Sequence, residues 1–199
     1  MDWANLRKYH SENLALLQSG FTPIVFMGDS ITEFWSNYNS SFFTKNGFVN
    51  RGISGQTTSQ MLLRFRQDVI QLQPSKVVIL AGINDIAENT GPISIENIMG
   101  NIISMVELAK ANHIEVILCS VLPANKFDWN RKIQPADKVI ELNNLIQKFA
   151  EENNLNHIDY YSNMVDNNKG LKKIYGDDGV HPNKEGYKIM EQLLLKAIL

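Results

Sequence analysis

Ser30 lies in the stretch IVFMGDSIT, residues 24–32, and a serine hydroxyl is a usable nucleophile only beside a base. Four histidines are available. His10 falls on a helical pattern and faces solvent. His113 precedes a strand at its amino end, and His157 falls inside a strand as a packed, satisfied side chain. His181 alone sits in a Gly- and Asp-rich loop, GDDGVHP, ahead of a helix. Asp178, three residues earlier, can reach Nδ1 of that imidazole, fixing its tautomer and stabilising its positive charge. Ser30, His181 and Asp178 together are the residue types of acyl transfer. That chemistry also needs donors for an oxyanion: the candidates are the backbone N–H of Ser30, the backbone N–H of Gly52 and the side-chain amide of Asn84. Each feature alone has a plainer reading. Gly-Asp-Ser caps helices, Asp177-Asp178-Gly179 makes turns, and Asn after a strand makes turns.

These residues act together only if the fold converges them. Ile24–Met27, Gly47–Asn50, Lys76–Ala81, Ile114–Ser120 and Leu155–Tyr160 are short apolar runs that predict strands. Helical spacing predicts helices over Asp2–Gln18, Thr57–Gln73, Ser94–Asn112, Ala136–Asn153 and Asn183–Leu199. In the first, Trp3, Leu6, Leu14 and Leu17 form the apolar positions. Phe34–Asn46 reads as a helical turn and a loop, and Val121–Pro135 as a long loop. Five alternations of strand and helix predict a parallel sheet with helices on both faces. Ser30, Gly52 and Asn84 then lie at strand carboxyl ends on one edge of the sheet, where ligands bind, and the last loop brings Asp178 and His181. No repeat or linker divides the chain, so residues 1–199 read as one domain.

The 199 residues are 44% hydrophobic and 20% charged, with a net charge of −2, ordinary for a globular enzyme-sized domain. No basic face suggests nucleic acid, and no apolar run suggests stable membrane insertion. The single Cys119 excludes an internal disulfide and, following Val-Ile-Leu within a predicted strand, reads as core. Met1-Asp2-Trp3 lacks the basic and apolar regions of a leader. A cytoplasmic location is the expectation, with export as the alternative had a leader been removed.

Four blocks stand in order: Gly28-Asp29-Ser30, Gly52, Gly82-Ile83-Asn84-Asp85 and Asp178-Gly179-Val180-His181-Pro182. In them the chain resembles the SGNH hydrolases, also called GDSL esterases and lipases. Its length and the stretch Val121-Leu122-Pro123 resemble the bacterial relatives of platelet-activating-factor acetylhydrolase subunits. The resemblance implies a three-layer α/β/α flavodoxin-like fold with no cofactor. It implies metal-free ester hydrolysis through an acyl-enzyme on Ser30, with Ser30, Gly52 and Asn84 as the oxyanion hole, in a monomer or homodimer. The G-x-S-x-G elbow of α/β-hydrolases is absent, since Thr32 stands at its second glycine.

Trp35, Phe127 and Trp129 are candidates to line a substrate pocket, or to cover core. Without long insertions the acyl site is expected to be shallow, favouring acetyl or other short acyl groups on a small molecule, a carbohydrate or a lysophospholipid. Asp29 and Asp85 read as structural ties between loops. Two alternatives remain at this point. One is an acyltransferase passing the acyl group from the same site to a sugar hydroxyl. The other is a non-catalytic flavodoxin-like ligand binder, against which Asp29 argues by standing where a phosphate would sit.

Overall fold

The computed structural model describes residues 1–198, so Leu199 of the predicted closing helix lies outside the described residues. The strands are β1 (Ile24–Gly28), β2 (Phe48–Gly52), β3 (Lys76–Leu80), β4 (Glu115–Cys119) and β5 (Asn156–Ile158). All pair in parallel, in the order β2-β1-β3-β4-β5. This is the flavodoxin-like order, whose direction of winding switches between β1 and β3. Val25, Phe26 and Met27, like Val77–Leu80 and Val116–Cys119, are buried, because helices cover both faces of the sheet.

The helices are α1 (His10–Ser19), α2 (Ser30–Tyr38), α3 (Ser40–Asn46), α4 (Thr58–Asp68), α5 (Ile83–Ile86), α6 (Ile95–Ala111), α7 (Ala136–Glu152), α8 (Tyr160–Met164) and α9 (Lys184–Ile198). Helices α4, α6 and α7 pack on one another over one face; α2, α3 and α9 pack over the other. The aromatic stretch after Ser30, expected as a turn and a loop, is the two helices α2 and α3. Asn39 joins them, its side chain accepting from the Phe42 N–H. The helical pattern expected over Thr57–Gln73 breaks at Val69 into a single 3₁₀ turn, Ile70–Leu72. Helices α5 and α8 have only four and five residues, too few to show a period. Among the described residues no helix is long and apolar enough to cross a membrane.

The first helix departs most from its sequence pattern. It begins at His10, and Trp3, Leu6, Leu14 and Leu17 are all exposed. The buried residues here are Ala4, Tyr9 and Asn13. Asn13 Nδ2 donates to Asp68 Oδ1 at 2.8 Å, and its Oδ1 accepts from Arg51 Nε at 2.8 Å. The surface beneath α1 is a buried polar network, so an amide faces inward and the leucines face out.

Asp29 caps α2, its Oδ1 accepting the Ile31 N–H at 2.9 Å. Asp85 takes the backbone N–H and the hydroxyl of Thr58 at 2.8 and 2.6 Å. Both carboxyls are buried; Asp85 ties two neighbouring loops as expected, whereas the Asp29 carboxyl, among the described residues, bonds only within its own turn. Burial pushes Asp29 up to about 7 and Asp85 up to about 6.

Two outcomes follow for stability. Leu14→Lys should leave the unfolding free energy within about 0.5 kcal/mol of wild type, whereas Ile79→Ala in β3 should cost about 2–5 kcal/mol, both measured by urea denaturation. The second concerns pH. From about pH 4 to about pH 7 the unfolded chain gives up the Asp29 proton while the folded chain keeps it, so this group lowers stability as pH rises through that window. Asp29→Asn keeps the capping oxygen and removes the titration. Its stability should decline less steeply over that range than wild type, and equal slopes would contradict the burial argument.

Candidate functional site

Residue Ser30 opens α2 directly beyond the carboxyl end of β1. His181 lies in the loop before α9, 151 residues further on, with Nε2 2.9 Å from Ser30 Oγ. Nδ1 of the same ring is 2.6 Å from Asp178 Oδ2. Asp178 Oδ1 accepts the backbone N–H groups of Val180 and His181 at 2.9 and 2.8 Å, which explains the three-residue spacing: the carboxylate closes the turn that carries the histidine. Partial burial pushes the Asp178 carboxyl up, but the His181 N–H, the His181 ring and the Val180 N–H outweigh it and hold it below the usual range. An ionised carboxylate only accepts, so Nδ1 carries the ring proton. Nε2 then offers its lone pair to the Ser30 hydroxyl. Phe34, one turn along α2, packs its ring against the imidazole at 5.5 Å.

Ser30 and His181 open into a cavity of about 260 Å³, lined also by Phe34, Ser54, Gly55, Ile83, Asn84, Asn89, Trp129 and Val180. Asn84 Nδ2 donates to the Gln56 carbonyl at 3.1 Å, and Asn84 Oδ1 accepts from Asn89 Nδ2 at 2.9 Å. These bonds fix the amide orientation. One of its two N–H bonds has no protein acceptor among the described residues.

Gly52 is not placed as a donor. Its N–H is taken by Asn50 Oδ1 at 2.8 Å, and it does not line the cavity. A Cβ there would lie 2.2 Å from the Glu33 backbone nitrogen, so this glycine lets α2 cross the end of β2. Gly55, three residues on, lines the cavity with φ +76°, a conformation that favours glycine. Among the described residues no protein acceptor takes the N–H of Gly55 or of Ser30. Both glycines sit in one turn of the sequence, Arg51-Gly52-Ile53-Ser54-Gly55, and only the second pairs positive φ with a free N–H.

The three aromatic candidates separate. Trp129 lines the cavity and is 52% exposed. Trp35 is 1% exposed, donates Nε1 to Glu191 at 3.1 Å and stacks on Phe42 and Tyr187; it belongs to the core between α2 and α9. Phe127 is fully buried and supports Trp129 from behind, ring centroids 4.9 Å apart. His157, expected to be satisfied, has a buried Nε2 with no partner. Cys119 is buried in β4, and burial pushes its thiol up to about 12, consistent with a core residue. Phe34 was legible as an aromatic one turn from the serine; Ile83, Asn89 and Val180 carry no signal beyond adjacency to the motifs.

Comparison with known proteins gives the arrangement a lineage. The family model of the GDSL-like lipase/acylhydrolases matches residues 26–189. A GDSL-like lipase structure from Bacteroides thetaiotaomicron superposes with a TM-score of 0.95 at 52% identity, covering 98% of this chain and 97% of that one. The thioesterase 1/protease 1/lysophospholipase L1 of Escherichia coli K12 is 26% identical over 214 residues, covering all of this chain and 96% of its own. An acetylxylan esterase of Xylanibacter ruminicola is 37% identical over 86 residues, 42% of this chain; the match spans only 16% of that longer protein. A sheet of flavodoxin-like order, the serine after its first strand, the histidine of its last loop and a family match over most of the length lead to one assignment: the chain belongs to the GDSL-like lipase/acylhydrolase family.

Proposed function

We propose that the protein is a serine esterase that removes short acyl groups, acetyl above all, from carbohydrate esters. The observation that carries this is the Ser30–His181–Asp178 relay beside three N–H donors without protein acceptors. Ser30 Oγ attacks the ester carbonyl while His181 Nε2 takes its proton. The imidazolium that forms is stabilised by Asp178. The carbonyl oxygen, now an oxyanion, receives hydrogen bonds from the Ser30 N–H, the Gly55 N–H and Asn84 Nδ2. Collapse breaks the C–O bond, and His181 returns the proton to the leaving alcohol. Water then attacks the acyl-enzyme by the same route, releasing the acid and restoring the Ser30 hydroxyl.

The substrate class is argued from the cavity. A volume of about 260 Å³ sits at the low end for small-molecule sites and suits a short acyl group with part of an alcohol. The rim is polar at Ser54 and Asn89 and carries one exposed flat ring, Trp129. A sugar presents an apolar face and a hydroxylated edge, and such a rim matches both. A relative named acetylxylan esterase supports the same direction.

Ser30→Ala should lower hydrolysis of p-nitrophenyl acetate by at least about 10³-fold; turnover near wild type would reject the reading. Asn84→Ala should lose about 10²–10³ in kcat with KM little changed, and a change confined to KM would remove Asn84 from the oxyanion site. Trp129→Ala should raise KM for an acetylated xylo-oligosaccharide by about tenfold while p-nitrophenyl acetate, which lacks a sugar, is hydrolysed as before. Equal effects on both substrates would argue against a sugar platform.

A further inference from the structure

Glu33 lies on α2, one turn after Ser30, outside the residues that line the cavity. Its Oε2 accepts both the backbone N–H of Ser54 at 2.6 Å and the Ser54 hydroxyl at 2.5 Å. Its Oε1 pairs with Lys8 from the N-terminal segment. Ser54 is the residue before Gly55, and the peptide unit joining them carries the Gly55 N–H. We infer that Glu33 is a positioning residue: it fastens the Ser54–Gly55 turn to the helix that carries the nucleophile, so that the Gly55 N–H and Ser30 keep one fixed relation. This rests on the reading of Gly55 as an oxyanion donor.

The physical case has three parts. A turn of Gly52–Gly55 is intrinsically loose, since glycine resists being fixed. One carboxylate oxygen gripping both the main chain and the side chain of Ser54 leaves that residue little freedom, and charge-assisted bonds of this kind are about twice as strong as neutral ones. The grip also starts from α2 itself. Nucleophile and donor therefore share one rigid element instead of meeting across two mobile ones. Partial burial pushes the Glu33 carboxyl up, but Lys8 and the two Ser54 donors outweigh it and hold the group below its ordinary value. It is thus an acceptor throughout the neutral range. Oxyanion stabilisation depends steeply on donor placement, and a shift of about 1 Å at a reacting centre can cost about 10²-fold in rate.

The test compares Glu33→Ala, Glu33→Gln and Lys8→Ala with wild type. Glu33→Ala should lower kcat/KM for p-nitrophenyl acetate about 10- to 100-fold. Glu33→Gln keeps one acceptor oxygen and should lose about 3- to 10-fold. Lys8→Ala breaks the ion pair yet leaves Ser54 held, and should stay within about twofold. Binding of phenylboronic acid separates positioning from general damage, because its adduct on Ser30 presents a tetrahedral oxygen to the same donors. Its affinity should fall in parallel with kcat/KM, while the urea midpoint at which each variant unfolds need not follow. Should Glu33→Ala not fold, Glu33→Gln decides. Rates within about twofold of wild type for whichever glutamate variant folds, unchanged boronate affinity, or a loss in Lys8→Ala as large as in Glu33→Gln would each overturn the inference. Ser30→Ala is run alongside: if it stays active the esterase reading itself fails, whereas an inactive Ser30→Ala beside normal Glu33 variants removes only the role of Glu33.

Discussion

The geometry of this protein depends on one contact between distant parts of the chain, the 2.9 Å approach of Ser30 Oγ and His181 Nε2. No local preference can make it. Ser30 is placed by β1, the strand at which the winding of the sheet changes direction, and His181 by a loop that ends at α9. The clamp between α9 and α2 therefore matters as much as either residue. Tyr187 of α9 donates its hydroxyl to the Ile31 carbonyl at 2.8 Å, one residue past the serine. Glu191, one turn further on, accepts from Trp35 Nε1 and Asn39 Nδ2. This is the task of Trp35. Its ring fills the α2–α9 interface, and its N–H bonds the same carboxylate that holds Asn39, so the serine helix is tied to the helix that follows the histidine loop.

A second fastening lies beneath the donor side. Arg64 is fully buried on α4. Its Nη2 donates to the Gly28 carbonyl at 3.0 Å, its Nε to Gln56 Oε1 at 2.5 Å and its Nη1 to Asp68 at 3.1 Å. Gly28 ends the strand before the serine, and Gln56 follows Gly55. A buried charge is costly unless paired and bonded, so this guanidinium is held to a geometry in which each of its three nitrogens has an acceptor. Two of these acceptors, the Gly28 carbonyl and the Gln56 side chain, belong to the segments that flank the site. Glu33 grips the turn from the solvent side and Arg64 from the core side.

Much of this was legible in the sequence, and the limits have physical causes. The buried strands announce themselves as apolar runs, and parallel pairing then forces their carboxyl ends together. The positions of Ser30 and Asn84 could be argued from that, and those of Asp178 and His181 from the Gly- and Asp-rich loop ahead of the last helix. The choice between Gly52 and Gly55 could not, since both sit in one turn and differ in φ and in whether Asn50 has taken the N–H. Helix α1 turns a face that its pattern does not show: its leucines follow a helical period, while the surface it meets is Asp68 and Arg51 and takes Asn13 instead. Arg64 was invisible: an arginine in an amphipathic helix reads as solvated until its partners are seen. The aromatic residues failed for a related reason. Trp35, Phe127 and Trp129 have the same chemistry in sequence, and only their neighbours separate a clamp, a support and a platform.

Two carboxyl groups are placed to influence the imidazole, and their surroundings divide the work. Asp178 is half exposed, yet two backbone N–H groups and the ring itself keep it ionised. Asp29, wholly buried beside the nucleophile, is pushed up to about 7 chiefly by burial, with the Ile31 N–H and, after it, His181 pulling in the opposite direction. Had both been equally solvated, two anions would have competed for one imidazolium. Burial instead lets Asp29 serve the backbone as an acceptor for Ile31 while carrying less than a full charge near neutrality. The dependable negative charge then comes from Asp178, on the far side of the ring from the serine. That is the side from which a carboxylate can hold Nδ1–H without taking the place of the Ser30 proton. The same separation of two carboxyl groups by environment assigns roles in acid–base sites generally, and here it leaves the Nε2 face of His181 to Ser30 alone.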